Sequence, residues 1–228
     1  MVVQPTGATV KLYHFWRSSA SWRVRWALAI KGVRFDSVIV DLMGQEQHQG
    51  VHRGRNPIGH VPVLEVEGRL LGESMAVLEW LEETCPVPPL FPADPWGRAR
   101  VRQLCELVNT GIQPLQNLAV LDRVSETDHV ARNGWAAHFN CRGLTAFEGL
   151  LERWEAERPG PFCWGRDVGA ADLFLVPQVY SARRFGVDVS PFPRVLAAEA
   201  AALATPHAAG ALPENQPGAP TVTGSGSR

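Results

Sequence analysis

Cysteine is scarce in this chain, and no two cysteines lie close together in the sequence. The four are Cys85, Cys105, Cys141 and Cys163. Zinc sites and dithiol redox motifs use closely spaced thiols, so this spacing argues against both and favours reduced, mostly buried thiols. The seven histidines form no pair of the H-E-x-x-H type either. We therefore predict no metal site.

A strong net charge and long apolar runs are also lacking. The 22 Lys and Arg residues nearly balance the 23 Asp and Glu residues, so the chain has no overall field that would attract nucleic acid or an anionic membrane. No apolar run approaches the roughly 20 residues of a membrane-spanning helix. Met1–Thr9 has neither the charged nor the apolar part of a secretory signal. We expect a cytoplasmic protein without nucleic-acid or membrane partners.

The first third of the sequence has the pattern of an α/β unit. A strand-helix-strand order at its start is typical of paired parallel strands. A hairpin that turns at Glu67-Gly68 and a further helix follow it. The predicted strands are 11–16, 35–40, 63–66 and 69–71, and the predicted helices are 22–31, a weak one within 44–55, and 74–83.

The rest of the chain has helical patterns and no strand alternation. A proline-rich segment, 85–96, predicts a linker between domains. The predicted helices that follow are 98–121, 135–157, 170–185 and 192–204. The sequence thus predicts an α/β domain over 10–84 and an all-helical domain over 97–205. Residues 206–228 contain few bulky apolar side chains, and we expect them to form a poorly ordered tail.

A run of hydroxyls and arginines follows the first predicted strand, where residues 17–25 read RSSASWRVR. Serines at the start of a helix lie beside its unpaired N–H groups and the positive end of its dipole. Such a site stabilises an anion, and a thiolate is an anion whose pKa falls there. Helix capping alone would account for one serine. It gives no reason for several hydroxyls among three arginines.

This turn resembles the RSSCSWRVR signature of the zeta class of glutathione transferases. Residues 111–118, GIQPLQNL, and 171–179, ADLFLVPQV, are similar to the same class, and the similarity extends from about residue 10 to 195. The resemblance implies a thioredoxin-like N-terminal domain followed by an all-helical domain, which is the glutathione transferase fold. It also implies glutathione as cofactor, maleylacetoacetate isomerase activity and a homodimer.

The resemblance assigns the glutathione thiolate to Ser18 or Ser19 as hydrogen-bond donors. Arg17, Arg23 and Arg184 are then candidates to hold substrate carboxylates, because a guanidinium binds a carboxylate through two parallel bonds. Arg23 is also expected in the glutathione site. The class usually has cysteine where this chain has Ala20. Because the serines are the expected donors, we predict that activity survives this replacement.

Other residues are expected to hold the backbone of glutathione. Val61, before an expected cis-Pro62, offers its N–H and C=O to the cysteinyl part in strand-like recognition. Glu73 and Ser74 lie at a helix start, where a carboxylate binds well. Gln47 is expected to reach the glycyl end.

Two polar residues in the second half are also expected in the cleft. Gln113 and Asn117 lie four apart on one face of the predicted long helix, in the same subunit or facing a neighbour's ligand. A solvated polar face is the alternative for this pair. Asp172 matches the family's helix-capping box, so we expect it to serve folding rather than chemistry.

Together these residues predict glutathione-dependent isomerisation of maleylacetoacetate, an acidic alkene, to fumarylacetoacetate in phenylalanine and tyrosine catabolism. Maleylpyruvate isomerisation or transfer to α-halo acids on the same scaffold is the nearest alternative. A non-catalytic binding module of the same fold is an alternative of another class. A thiol-disulfide oxidoreductase would need a cysteine in the active turn, where this chain has Ala20.

Overall fold

The computed structural model describes residues 9–220 of the 228-residue chain. A four-stranded sheet of order β2-β1-β3-β4 forms its N-terminal part. Strand β1 runs parallel to β2 and antiparallel to β3, which pairs with β4 in a hairpin. The strands are β1 (Val10–His14), β2 (Asp36–Ile39), β3 (Val63–Val66) and β4 (Arg69–Gly72).

Alternation along β1 divides its side chains between the two faces of the sheet, as the two-residue period of a strand requires. Leu12 belongs to the main core, which includes Trp26 of the first helix. Tyr13 points the other way, into a smaller cluster with Val63. The helices of this part are α1 (Ser19–Ile30), α2 (Gly50–Arg55) and α3 (Ser74–Thr84), and a 3-10 turn, Glu46–His48, precedes α2.

The second part is helical throughout the described residues, so the predicted fold class, a thioredoxin-like sheet followed by an all-helical region, is confirmed. Its helices are α4 (Pro95–Gly111), α5 (Leu118–Val124), α6 (His129–Arg153), α7 (Ala170–Arg184), α8 (Pro193–Leu203) and α9 (Ala208–Ala211). Helix α7 lies at the centre, where it packs against α1, α4 and α8. The boundaries between the domains remain predictions.

Buried polar groups tie the proline-rich segment to the sheet domain. Lys31, at the end of α1, donates from Nζ to Glu82 Oε2 at 2.7 Å and to the Pro88 carbonyl at 2.6 Å. Glu82 also accepts from the Leu90 amide at 2.8 Å. The proline-rich segment is therefore held against α1 and α3. Asp172 has the structural role predicted for it, since its carboxylate accepts the Cys163 and Gly169 amides at 2.8 and 2.9 Å.

Two predicted helices have different bounds in the structure. The long helix predicted over 98–121 is broken, because Pro114 has no N–H to continue the ladder. Helix α4 ends at Gly111, a 3-10 turn covers Gln113–Gln116, and α5 begins at Leu118. Helix α6 begins six residues before the predicted start at 135, where the Asp128 carboxylate accepts two amides of the first turn.

The prediction of a poorly ordered tail is wrong for residues 206–220. Helix α9 packs against α1, with Ala208 and Ala211 each 1% exposed. Ala211 O accepts from the Arg25 guanidinium at 3.3 and 3.4 Å, and Tyr180 Oη donates to Glu214 at 2.7 Å. Alanines bury little area each, so hydropathy does not reveal their packing. Residues 221–228 of the predicted tail lie outside the described residues.

None of the helices in residues 9–220 combines the length and apolar character needed to cross a bilayer. Within the same residues, no cluster of His, Cys, Asp and Glu side chains is arranged to hold a metal ion.

Candidate functional site

The turn between β1 and α1 presents the Ser18 hydroxyl to a cavity. Ser18 is the N-cap of α1, and its Oγ accepts from the Ser21 amide at 3.2 Å. A hydroxyl has one proton to donate and two lone pairs. Since the cap uses a lone pair, the proton remains available to a group in the cavity, whose wall includes Ser18. Helix capping and donation to an anion are therefore compatible at this residue.

A buried arginine, Arg25, holds the backbone that leads into this turn. Arg25 is 2% exposed and donates to the carbonyls of Phe15 and Trp16 at 3.3 and 3.0 Å. Its Nη1 also lies 3.2 Å from His14 Nδ1. Burial lowers the pKa of Arg25 to about 9, so the guanidinium stays charged at neutral pH. Its bonds hold the two residues that precede Arg17 and Ser18.

The cavity has a volume of about 330 Å³ and lies between the sheet domain and the helical part. Many of its wall residues were predicted for the glutathione site. They are Ser18, Gln47, Val61, Pro62, Glu73, Ser74, Gln113 and Asn117. Ala20, where the class usually has cysteine, also lines it.

The Val61-Pro62 bond is cis, as expected from the sequence. Neither the N–H nor the C=O of Val61 is hydrogen bonded to another group in residues 9–220. Unpaired strand-like backbone at a cavity can pair with an extended peptide. Gln47 lies in the same wall, 7% exposed, and its Oε1 has no partner among the described residues. A polar ligand at this end would satisfy both groups.

The start of α3 forms another part of the wall. Glu73 precedes the helix with φ 61°, a left-handed backbone that a glutamate rarely adopts. Such strain is concentrated at functional sites and ligand clamps. Ser74, the first helical residue, is 3% exposed, and Arg23 Nη1 donates to its Oγ at 3.1 Å. The positive end of the α3 dipole and its unpaired amides favour an anion here.

Gln113 and Asn117 reach the cavity from the same chain as Ser18. They do not lie on one face of a long helix, as the sequence predicted, because Pro114 breaks that helix. Gln113 begins the 3-10 turn and Asn117 is the N-cap of α5. The break itself places both side chains at the wall, and their part in ligand binding remains a prediction.

Four predicted site residues are outside the cavity wall. Ser19 Oγ pairs with Ser181 Oγ of α7 at 3.0 Å, so its hydroxyl faces the helical part rather than the cavity. The prediction of Ser19 as a thiolate donor is corrected in favour of Ser18. Arg23 is fully buried behind Ser74, which corrects its predicted direct contact with a ligand.

Arg17 and Arg184 are the other two, and they lie near enough to one another for their charges to interact. Partial desolvation lowers the pKa of Arg184, and the nearby Arg17 guanidinium lowers it further. Neither arginine forms an ion pair within residues 9–220. Two unpaired like charges that repel one another are suited to bind a shared anion.

Sequence reasoning missed three polar residues of the wall, His48, His60 and Asn109. The histidines lie on the loops around Gln47 and Val61, and His60 O accepts from His52 Nε2 at 2.9 Å. None belongs to the motifs recognised in the sequence. The cavity-facing position of Asn109 depends on how α4 crosses the sheet domain.

Residues 8–83 match the family model of the glutathione S-transferase N-terminal domain. The chain is 43% identical to a probable maleylacetoacetate isomerase 2 of Drosophila melanogaster over 211 residues, which cover 92% of this chain and 90% of the relative.

Solved structures agree with this comparison. A maleylacetoacetate isomerase from Anaeromyxobacter dehalogenans, with glutathione bound in its active site, is 47% identical with a TM-score of 0.84, covering 93% of this chain and 99% of that one. The holo structure of a bacterial zeta-class maleylpyruvate isomerase is 39% identical with a TM-score of 0.89, covering 92% and 100%.

Proposed function

The chain belongs to the zeta-class glutathione transferase and maleylacetoacetate isomerase family, and we propose that it isomerises maleylacetoacetate to fumarylacetoacetate with glutathione. The observation that carries the proposal is that one cavity is lined by the Ser18 hydroxyl, the unpaired Val61 backbone and the N-terminus of α3. The Ser18 hydroxyl can donate a hydrogen bond to a thiolate. The Val61 backbone can pair with a peptide, and the N-terminus of α3 can bind a carboxylate.

The wall fits glutathione part by part. The Val61 N–H and C=O can pair with the cysteinyl residue of an extended tripeptide. Ser74 and the first amides of α3 can bind the γ-glutamyl carboxylate, while Glu73 can bind its ammonium. The buried, unpartnered Gln47 Oε1 requires a donor, which the peptide can supply near its glycyl end.

Bound glutathione supplies a thiolate that adds reversibly to the carbon–carbon double bond of the substrate. The bond is then single and can rotate before the thiolate leaves and the double bond forms again. The Ser18 hydroxyl donates a hydrogen bond to the sulfur and so favours the thiolate at neutral pH. The N-terminus of α1 contributes in the same direction, since its dipole stabilises negative charge. Addition and elimination at sulfur need no net proton transfer, and the mechanism assigns no general base to the chain.

Arg17 and Arg184 are the proposed holders of the substrate's carboxylate groups. Their mutual repulsion is relieved when an anion binds between them, and a guanidinium offers two parallel donors to each carboxylate. Holding the ends of the substrate would leave its central bond free to turn. The same charges can stabilise the negative charge that develops on the substrate during addition.

Maleylpyruvate isomerisation is the second candidate, favoured by the similarity to the maleylpyruvate isomerase structure. Turnover of maleylacetoacetate, maleylpyruvate and dichloroacetate by one preparation, with saturating glutathione, separates the candidates. We expect the highest kcat/KM with maleylacetoacetate. A higher value with maleylpyruvate or dichloroacetate would reassign the substrate, and failure to bind glutathione in calorimetry would favour a non-catalytic module.

Homodimer formation and a cytoplasmic location are also part of the proposal, and membership of the family supports the dimer. Sedimentation equilibrium should give twice the chain mass of 25.0 kDa. A single chain mass at micromolar concentration would contradict the dimer. Fractionation of cells that express the full chain tests its location, and recovery in the membrane fraction would contradict it.

A further inference from the structure

Arg23 lies behind the wall of the cavity, on the inner face of α1. The side chain is 0% exposed. Its Nη1 lies 3.1 Å from Ser74 Oγ and 3.2 Å from Asn109 Oδ1. Ser74 belongs to the sheet domain and Asn109 to α4, and both line the cavity. One buried guanidinium nitrogen therefore joins two side chains of the wall, one from each part of the molecule.

The surroundings of Arg23 keep it charged and in place. Its guanidinium carbon lies 4.0 Å from the centroid of the Phe174 ring in α7, a cation–π distance. Burial lowers the pKa of Arg23 to about 9, a change that Glu106 and Glu73 oppose. The group is thus protonated at neutral pH. Its Nε and Nη2 have no hydrogen-bond partner among residues 9–220, so its polar bonds are those of Nη1.

The direction of these two bonds determines what the wall offers to a ligand. An arginine can only donate, so Ser74 Oγ and Asn109 Oδ1 must both be acceptors. The Ser74 hydroxyl proton is then left for another partner. The Asn109 amide is likewise fixed with its oxygen toward Arg23, which leaves the Nδ2 protons without a partner in residues 9–220. Both residues are thereby set as donors toward the cavity.

We propose that Arg23 is a positioning residue of the glutathione site, which orients Ser74 and Asn109 so that both donate to the γ-glutamyl carboxylate. The proposal rests on the proposed use of glutathione. It replaces the sequence-based expectation that Arg23 touches a ligand. It also gives Asn109 a binding role and makes the γ-glutamyl site depend on the helical part.

A purely structural role is the alternative, and Lys31 provides a matched control. Lys31 is also a buried cation, at the C-terminal end of α1, but its partners are Glu82 of α3 and the Pro88 carbonyl of the proline-rich segment rather than cavity residues. Replacement of either cation by Met should destabilise the fold. Only replacement of Arg23 should change ligand affinity.

The test measures the affinity of S-methylglutathione by calorimetry, together with the thermal midpoint of each variant. S-methylglutathione keeps the γ-glutamyl group and lacks the titrating thiol. Arg23→Met should weaken binding by about tenfold to a hundredfold, the range for hydrogen bonds to charged groups. Arg23→Lys should lose less, since an ammonium retains the charge without the planar geometry. Lys31→Met should bind as wild type does.

Asn109→Asp distinguishes positioning from structure even if Arg23→Met does not fold. Aspartate keeps an acceptor for Arg23, so the thermal midpoint should not fall, but it has no proton to donate. Affinity should fall by about tenfold or more, because a carboxylate replaces the amide donor. Wild-type affinity in Asn109→Asp, or equal losses in Arg23→Met and Lys31→Met, would overturn the inference. Failure of the wild type to bind S-methylglutathione would instead contradict the proposed function.

Discussion

We expect His14, the last residue of β1, to make the fold sensitive to mild acid at a point close to the Ser18 turn. The imidazole is 0% exposed and has two polar neighbours, Ser37 Oγ at 2.6 Å from Nε2 and Arg25 Nη1 at 3.2 Å from Nδ1. Because the guanidinium can only donate, Nδ1 must accept, and the proton of the neutral ring lies on Nε2. Protonation would place an N–H against the guanidinium, so burial and then Arg25 lower the pKa of His14 to about 3.

This pKa determines how the stability of the fold changes with pH. In the unfolded chain the ring takes up a proton near pH 6.5, whereas in the folded protein it stays neutral until about pH 3. The stability that His14 contributes is therefore complete above pH 6.5 and falls as the pH drops toward 3. Between pH 7 and pH 5 the loss amounts to about 2 kcal/mol.

Urea unfolding at pH 7, 6 and 5 and constant ionic strength tests this expectation on the wild type and His14→Gln. Other groups titrate in both proteins, so the difference between the two slopes isolates His14. The wild type should lose about 2 kcal/mol more than the variant between pH 7 and pH 5. An equal loss in both proteins would refute the reasoning, because it would mean that His14 takes up its proton without unfolding.

Three further substitutions test other parts of the account. Asp172→Ala removes the acceptor of two amides and should lower the free energy of unfolding by about 3 kcal/mol, as measured in urea; a loss below about 1 kcal/mol would contradict the assigned capping role. Ala20→Cys should leave the isomerisation rate within about threefold of wild type, since Ser18, the proposed donor to sulfur, is unchanged; a large gain would show that the cysteine is the essential group. Arg184→Lys should raise KM for the acidic alkene about tenfold without changing glutathione affinity, because an ammonium cannot bind a carboxylate through two parallel bonds; an unchanged KM would remove Arg184 from the substrate site.

The sequence was sufficient for the fold class and for much of the cavity wall. The short strands, the cis-prone Val61-Pro62 and the helix starting at Ser74 are local features, and local chemistry largely determines them. The direction in which each side chain of a helix points is harder to predict from the sequence. Ser18 and Ser19 are equivalent as letters, but Ser18 caps α1 with its side chain at the cavity, whereas Ser19 lies about 100° further round the helix and faces Ser181.

Long-range packing explains what the sequence could not predict. Asn109 and Arg23 are 86 positions apart in the chain, and they meet because α1 and α4 both pack against α7. The break at Pro114 was readable in the sequence, but the positions that it gives Gln113 and Asn117 were not, since they depend on the direction of the 3-10 turn. The packing of residues 206–220 depends on small alanines and backbone carbonyls, which carry no hydropathy signal.

Glutathione-dependent isomerisation of maleylacetoacetate by Ser18→Ala, beside wild type and the matched variant Ser19→Ala, tests the central claim most directly. Removal of the proposed side-chain donor to the thiolate should lower kcat on the order of 100-fold, as for other preorganised donors to developing anions. Ser19→Ala, which loses a hydroxyl that faces Ser181, should keep most of the activity. Wild-type turnover in Ser18→Ala, or a larger loss in Ser19→Ala, would contradict the account.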